Sequence, residues 1–190
     1  MSNFFQQLRK SYSSYESERR AVIKNAGDAL SFSKQAIFSL HRDDPETAAK
    51  LLKEVENIFS DLEKKFKKEL ELRFEGSYRA AMEEYVEAKM FERVTRGQKV
   101  GEIKEAAVDT DSYLGGICDL IGEMARKVVL LATERKFDKV KRLAEAAHEI
   151  MAELIKMDLT GYMRNKYDQA KQALRKIEEV AYDIAIKSVK

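Results

Sequence analysis

Apolar residues recur along this chain at intervals of three and four, the spacing of helices that bury one face. From about Phe4 to Arg42, Tyr15, Val22, Ala26, Ala29, Leu30, Ala36, Ile37 and Leu40 repeat in this way and predict one long helix. Asp43-Asp44-Pro45-Glu46 ends it. Asp44 is placed to cap the next helix, and Pro45 suits its first turn, where a missing N–H costs nothing. The second helix is expected from Pro45 to about Phe74, on Leu51, Leu52, Val55, Ile58, Phe59, Leu62 and Phe66. Gly76-Ser77 breaks the pattern, with Ser77 as a candidate N-cap. A third helix is expected from Tyr78 to Thr95, stopping before Gly97, a C-cap glycine. Gly101 to Asp111 reads as a short connection with some helical character over Glu102–Ala107. A fourth helix, opening near Tyr113, continues to about Thr133. Phe137 to Met157 and Tyr162 to about Lys187 supply the last two, joined by the turn Asp158-Leu159-Thr160-Gly161.

Composition agrees with the pattern. The 190 residues include one Pro, 8 Gly and no Trp, with 44% apolar and 36% charged residues, so strands would lack their turn punctuation. The expected fold is all-α: one domain over 1–190, an antiparallel bundle of about six to seven long helices. The first two helices are longer than such a bundle needs, which points to contacts between copies. A net charge of +2 is too small to mark a nucleic-acid binder by bulk charge alone. The run Lys64-Lys65-Phe66-Lys67-Lys68 reads first as a solvated face. Cys118 is the lone cysteine, so no internal disulfide can form. No signal-like or membrane-spanning apolar run stands out, and a cytoplasmic protein without a membrane partner is expected.

The stretch Tyr113-Leu114-Gly115-Gly116-Ile117-Cys118-Asp119-Leu120-Ile121-Gly122-Glu123-Met124-Ala125-Arg126 carries the candidate chemistry. Ile117, Leu120, Ile121, Met124, Val128 and Leu131 share one broad face. Gly115, Cys118, Gly122, Ala125 and Val129 form a small-residue face that lets another helix come close. Asp119 and Glu123 sit with Gly116, Arg126 and Lys127 on a narrow stripe of a mostly apolar, hence buried, helix. On the third helix Glu84 and Glu87 are three residues apart and share a side with Ala80, Ala88, Phe91 and Val94. A buried carboxylate needs a cationic partner, a proton or a metal ion. Four carboxylates from two packed helices form an oxygen-only donor set, which suits Mg²⁺ or Mn²⁺ better than Zn²⁺. The competing reading is ion pairing with Arg126, Lys127 or Lys89.

Glu145-Ala146-Ala147-His148 has the Glu-x-x-His spacing of di-iron bundles. That chemistry needs the motif twice, and the other histidine, His41, has no Glu three residues before it. His148 is therefore expected to be an ordinary helix histidine, and Cys118 a packing residue. No nucleotide-binding glycine loop is present: the glycines of the central stretch lie inside a helix with no strand before them.

Taken in order, Ser33-Lys34-Gln35-Ala36-Ile37-Phe38-Ser39-Leu40-His41-Arg42, Glu84-Tyr85-Val86-Glu87-Ala88, the central stretch, and Arg164-Asn165-Lys166-Tyr167-Asp168 with Leu174–Asp183 resemble the translin superfamily, and within it the catalytic branch of translin-associated factor X proteins. The resemblance spans nearly the whole chain. It implies a helical subunit of a hollow octamer that cleaves single-stranded RNA with Mg²⁺, and it matches Glu84, Glu87, Asp119 and Glu123 to the acidic catalytic and metal-binding site. The chain departs from the family at Ile121, where threonine is usual, and at Ser112, which separates Asp111 from Tyr113. A histidine-and-arginine cluster of the kind translin uses for nucleic acid is not found.

The leading expectation is a metal-dependent endoribonuclease acting on single-stranded RNA inside a homo-oligomer. Lys34, Arg42 and Arg126 are the candidate phosphate contacts. Two rivals remain: a translin-type protein that holds single-stranded DNA or RNA without cutting it, and a helical scaffold whose acidic groups are only ion pairs.

Overall fold

A computed structural model describes residues 2–187; Met1 and residues 188–190 of the expected 1–190 domain lie outside the described residues. Six α-helices follow one another: α1 (Ser2–His41), α2 (Pro45–Phe66), α3 (Gly76–Thr95), α4 (Thr110–Thr133), α5 (Phe137–Leu154) and α6 (Gly161–Lys187). Among the described residues all regular structure is helical, as expected.

α3 is the hub. Ala81, Met82, Tyr85, Val86, Ala88, Met90 and Phe91 are fully buried around most of its circumference. α1 packs on one side of it and α4 on the other; α2 lies along α1, and α5 and α6 lie against α4. Phe59 and Phe66 of α2 meet Tyr78 edge-to-face at 5.6 and 4.8 Å between ring centroids, and Phe59 meets Tyr85 at 5.5 Å. Each such buried aromatic contributes about 1.5–3 kcal/mol of transfer free energy, and edge-to-face geometry adds to it. The Tyr85 hydroxyl donates to buried Glu56 at 3.2 Å, and Lys89 donates to the same carboxylate at 2.9 Å.

The α1–α2 turn forms as the sequence predicts. Asp44 accepts from the Thr47 amide at 3.0 Å, with Pro45 in the first turn. Asp43 takes the left-handed conformation at φ 57°, which Asp tolerates better than most residues. At the end of α3, Gly97 adopts φ 74°; its N–H reaches Val94 O at 3.0 Å and the Gln98 N–H reaches Arg93 O at 2.9 Å, the paired bonds of a Schellman cap.

Several boundaries differ from expectation. α2 stops at Phe66, and Leu70–Phe74 is a separate 3₁₀ turn. Beyond Phe66 the run of lysines offers no apolar side to bury; Leu72 alone turns inward while Leu70 and Phe74 are exposed. Ser77 is not a cap: α3 already begins at Gly76, and the Ser77 hydroxyl is buried without a partner. The segment over 102–107 is not helical. It is held open by Arg93, whose guanidinium donates to Gly101 O at 2.7 Å and Glu102 O at 3.0 Å, and by Ile103, which is buried and bonded to the Tyr113 hydroxyl. α5 ends at Leu154, short of Met157, where Ile155 and Met157 face outward. α1 overhangs the bundle: every residue from 3 to 14 is exposed.

Candidate acidic site

The acidic residues come together where α3 crosses α4. The approach is made by Gly115 and Gly116. A Cβ on Gly116 would lie 2.6 Å from the backbone oxygen of Glu83 and 2.7 Å from Val86 Cβ, and one on Gly115 would run into the Glu83 carboxylate. The small-residue face is thus split: Gly116, expected on the acidic stripe, is set against the backbone of α3, while Gly122 faces open space. Asp109 caps the start of α4 by accepting from the Ser112 amide at 3.0 Å and its hydroxyl at 2.8 Å, which fixes the register of the carboxylates beyond it.

Glu87 is the most buried of the four and keeps 8% of its surface. Among the described residues no hydrogen bond or ion pair reaches its carboxylate. Burial pushes its carboxyl up to about 9, the neighbouring charges of Glu84, Asp119 and Glu123 push the same way, and Lys166 opposes them from a distance. The charges of Glu84, Asp119 and Glu123 are thus all felt at Glu87, and Glu84 and Asp119 line one cleft. Glu84 is raised by burial, opposed by Lys34, whose ammonium lies 3.5 Å away. Asp119 is raised by burial, opposed by Lys166, which donates to it. Glu123 is held by His41 Nε2, with the Arg126 guanidinium at 3.8 Å. The His41 ring is buried against Phe91 at 4.8 Å, and its Nδ1 has no partner.

The expected ion-pair partners are therefore mostly different ones. Arg126 does face Glu123. Lys127 turns away from the acidic stripe and is buried, donating to Leu40 O at 2.9 Å, His41 O at 3.1 Å and Asp43 at 2.7 Å. It closes the C-terminus of α1, which fixes the backbone carrying His41. Lys89 goes to Glu56. Lys34, a candidate phosphate ligand, is here the partner of Glu84. Arg42 is exposed and stacks over Phe38 at 5.5 Å.

Three participants were not singled out in the sequence: Glu83, Lys166 and Tyr162. Glu83 accepts from Lys166 and, at 3.0 Å, from the Tyr162 hydroxyl. Glu83 stands beside Glu84, and Tyr162 and Lys166 are four apart at the start of α6. Nothing local indicates that α6 packs on α4 with its first residues reaching Glu83 of α3. Glu83, Glu84, Asp119, Lys34, Arg79 and Lys166 line one cleft of about 910 Å³.

Other candidates resolve simply. His148 is half exposed and lies 3.7 Å from Glu178, while Glu145 faces Lys141, so the Glu-x-x-His spacing builds no shared site. Cys118 is buried, and its thiol is pushed up to about 11 by burial, which leaves it a packing residue.

The donor set fits a hard divalent cation in kind: it is oxygen-only, and its most buried member has no direct ion-pair partner among the described residues. In the arrangement described, no three His, Cys, Asp or Glu among the described residues stand where they could hold a metal ion. The carboxylates around Glu87 are turned onto Lys34, His41 and Lys166 instead. No described helix is long and apolar enough to cross a membrane.

Comparison with known proteins agrees with this architecture. Translin from Gallus gallus is 30% identical over 83 residues, which cover 43% of this chain and 36% of that protein, so the match spans about a third of the relative's length. Among solved structures, AfC3PO superposes with a TM-score of 0.89 at 22% identity, covering 98% of this chain and 99% of that one. AfC3PO in complex with duplex RNA gives 0.90 at 21% identity over 98% of each chain, and apo-NeC3PO gives 0.84 at 23% identity over 94% and 95%. At these identities the likeness concerns the fold. The translin family pattern matches residues 17–188, and the chain belongs to the translin family.

Proposed function

We propose that this chain is a divalent-cation-dependent endoribonuclease whose site is formed by Glu84, Glu87, Asp119 and Glu123. The observation that carries the reading is Glu87: a carboxyl with 8% of its surface left, pushed up by burial and by three neighbouring carboxylates, with no hydrogen bond or ion pair among the described residues. A carboxyl so buried keeps its proton unless a cation takes the proton's place. Mg²⁺ or Mn²⁺ bound here would polarise a phosphodiester and make water a better nucleophile. The chain's own part is to present oxygen donors, and one of the carboxylates accepts the proton of the attacking water. Lys34 and Arg126 stand beside the carboxylates, and Arg42 is exposed nearby in sequence; these offset the charge of a nucleic-acid backbone.

The substrate in this reading is single-stranded RNA. The solved complex of AfC3PO contains duplex RNA, so both strand states belong in the test. Assembly as a homo-oligomer, an octamer in the fullest form, fits the exposed Phe4, Phe5, Leu8 and Tyr12 on the overhanging start of α1. The setting in this reading is cytoplasmic.

A second reading has its own support. Lys34 and Lys166 already pair with Glu84 and Asp119, and His41 Nε2 is bonded to Glu123, as a protein that only holds single-stranded RNA or DNA would allow. Labelled single-stranded RNA, duplex RNA and single-stranded DNA, incubated with Mg²⁺ or with chelator, separate the two. Cleavage of single-stranded RNA that needs Mg²⁺ and vanishes in Glu87→Gln and Glu123→Gln, with binding and solution mass unchanged, supports the nuclease. Binding without cleavage supports the second reading, and cleavage that survives chelator or either substitution refutes the acidic site.

A further inference from the structure

We propose that Lys166 is an internal stand-in for a divalent cation, neutralising Asp119 in the metal-free protein and releasing that carboxylate when an ion binds. This rests on the ion-binding role proposed above for the acidic site.

Lys166 comes from α6, but its ammonium lies between carboxylates of two other helices. It donates to Asp119 on α4 and to Glu83 on α3, and its side chain keeps only 14% of its surface. A lysine head is a compact point charge on a flexible stem, able to change partners without moving the helix. The structure also provides a place for it to go. Glu83 lies outside the four-carboxylate set, is bonded to the Tyr162 hydroxyl at 3.0 Å, and shares Lys166 with Asp119. The Tyr162 ring lies 5.3 Å from the ammonium, within cation–π range. When Asp119 turns to an ion, Lys166 keeps Glu83 and the ring.

The contrast with Glu87 completes the case. Asp119 has the Lys166 ammonium in direct contact, whereas Glu87 is more than nine-tenths buried, makes no ion pair among the described residues, and feels Lys166 only at longer range. One ion entering beside Glu87 compensates it and takes over Asp119 as Lys166 withdraws. Lys166 therefore sets how tightly an ion is held, and the lysine and the ion compete for one carboxylate.

The test is a titration with Mn²⁺, read by water-proton relaxation, on the full chain without nucleic acid. Lys166→Met should bind Mn²⁺ at least about tenfold more tightly than wild type, because a competing charge in direct contact is gone. Arg79→Met removes a cation from the same cleft, one that is paired with Asp111 at 3.0 Å and touches none of the four carboxylates; it should change the affinity less than about threefold. Glu83→Gln, which takes away the withdrawal partner, should weaken Mn²⁺ binding in wild type and have little effect in the Lys166→Met background. Lys166→Gln replaces the methionine variant if that one does not fold. A Lys166→Met affinity equal to that of wild type, or no tighter than that of Arg79→Met, overturns the competition while leaving the ion site standing. Absence of Mn²⁺ binding in every form overturns the ion site and this inference with it.

Discussion

Gly116 on α4 lies against the backbone oxygen of Glu83 on α3, so closely that a Cβ in its place would be 2.6 Å from that oxygen. Neither a backbone oxygen nor the neighbouring Val86 Cβ can move without moving α3. The whole acidic site depends on this crossing, because α3 carries Glu84 and Glu87 and α4 carries Asp119 and Glu123.

Gly116→Ala should therefore cost stability even though alanine favours a helix. Overpacking of this kind costs about 1–3 kcal/mol, against a propensity gain of about 1 kcal/mol. Gly115→Ala meets first the far end of the flexible Glu83 side chain, which can swing aside, so it should unfold closer to the wild-type denaturant concentration than Gly116→Ala. Urea midpoints for the two variants check this; equal midpoints would show that the crossing tolerates the extra carbon.

Lys127 is the buried cation that belongs to the fold rather than the site. Its ammonium satisfies the carbonyls of Leu40 and His41 and pairs with Asp43. Lys127→Met should lose about 1–3 kcal/mol, the cost of leaving buried acceptors unsatisfied, since Asp43 is half exposed and can turn to water or Lys136. Freed from that anchor, His41 should also loosen from Glu123, seen as a changed imidazole resonance in NMR spectra. A variant with unchanged stability and an unchanged His41 resonance would remove the anchoring role.

The acidic site should leave a signature in the pH dependence of stability. In the metal-free protein the Glu87 carboxyl is pushed up to about 9 from an ordinary 4.5. The folded state thus binds this proton more tightly than the unfolded chain. The stability tied to it is fully present below about 4.5 and is lost as pH rises toward about 9. Glu87→Gln cannot titrate and should flatten the decline. Urea midpoints in chelator, taken across that window for both proteins, decide it; parallel declines would mean that Glu87 is not the group responsible.

Arg42 and Arg126 are exposed, and neither contributes to the core. Replacing either with Ala should leave the melting temperature near wild type while weakening single-stranded RNA binding. Removing one phosphate-neutralising charge should lower the slope of log affinity against log salt by roughly 0.7. A salt slope unchanged in both variants would place the nucleic-acid path elsewhere on the surface.

The sequence by itself determined the six long helices and that carboxylates stand on the inner sides of α3 and α4. Helical spacing in α1, from Val22 through Ala26, Ala29, Ala36 and Leu40, is local information, because a helix buries one face whatever covers it. The Asp44–Pro45 cap and the Gly97 stop are local for the same reason: they act within a few residues. The pairing of Lys166 with Glu83 and Asp119 is not local, since it joins residues 83 and 47 positions apart. Nor could spacing show that 102–107 is pinned open by Arg93, or that Lys127 turns to α1 rather than to the carboxylates. Which cation meets which carboxylate depends on how six helices cross. That is set by close packing at points such as Gly116, where two backbones leave no room for a side chain.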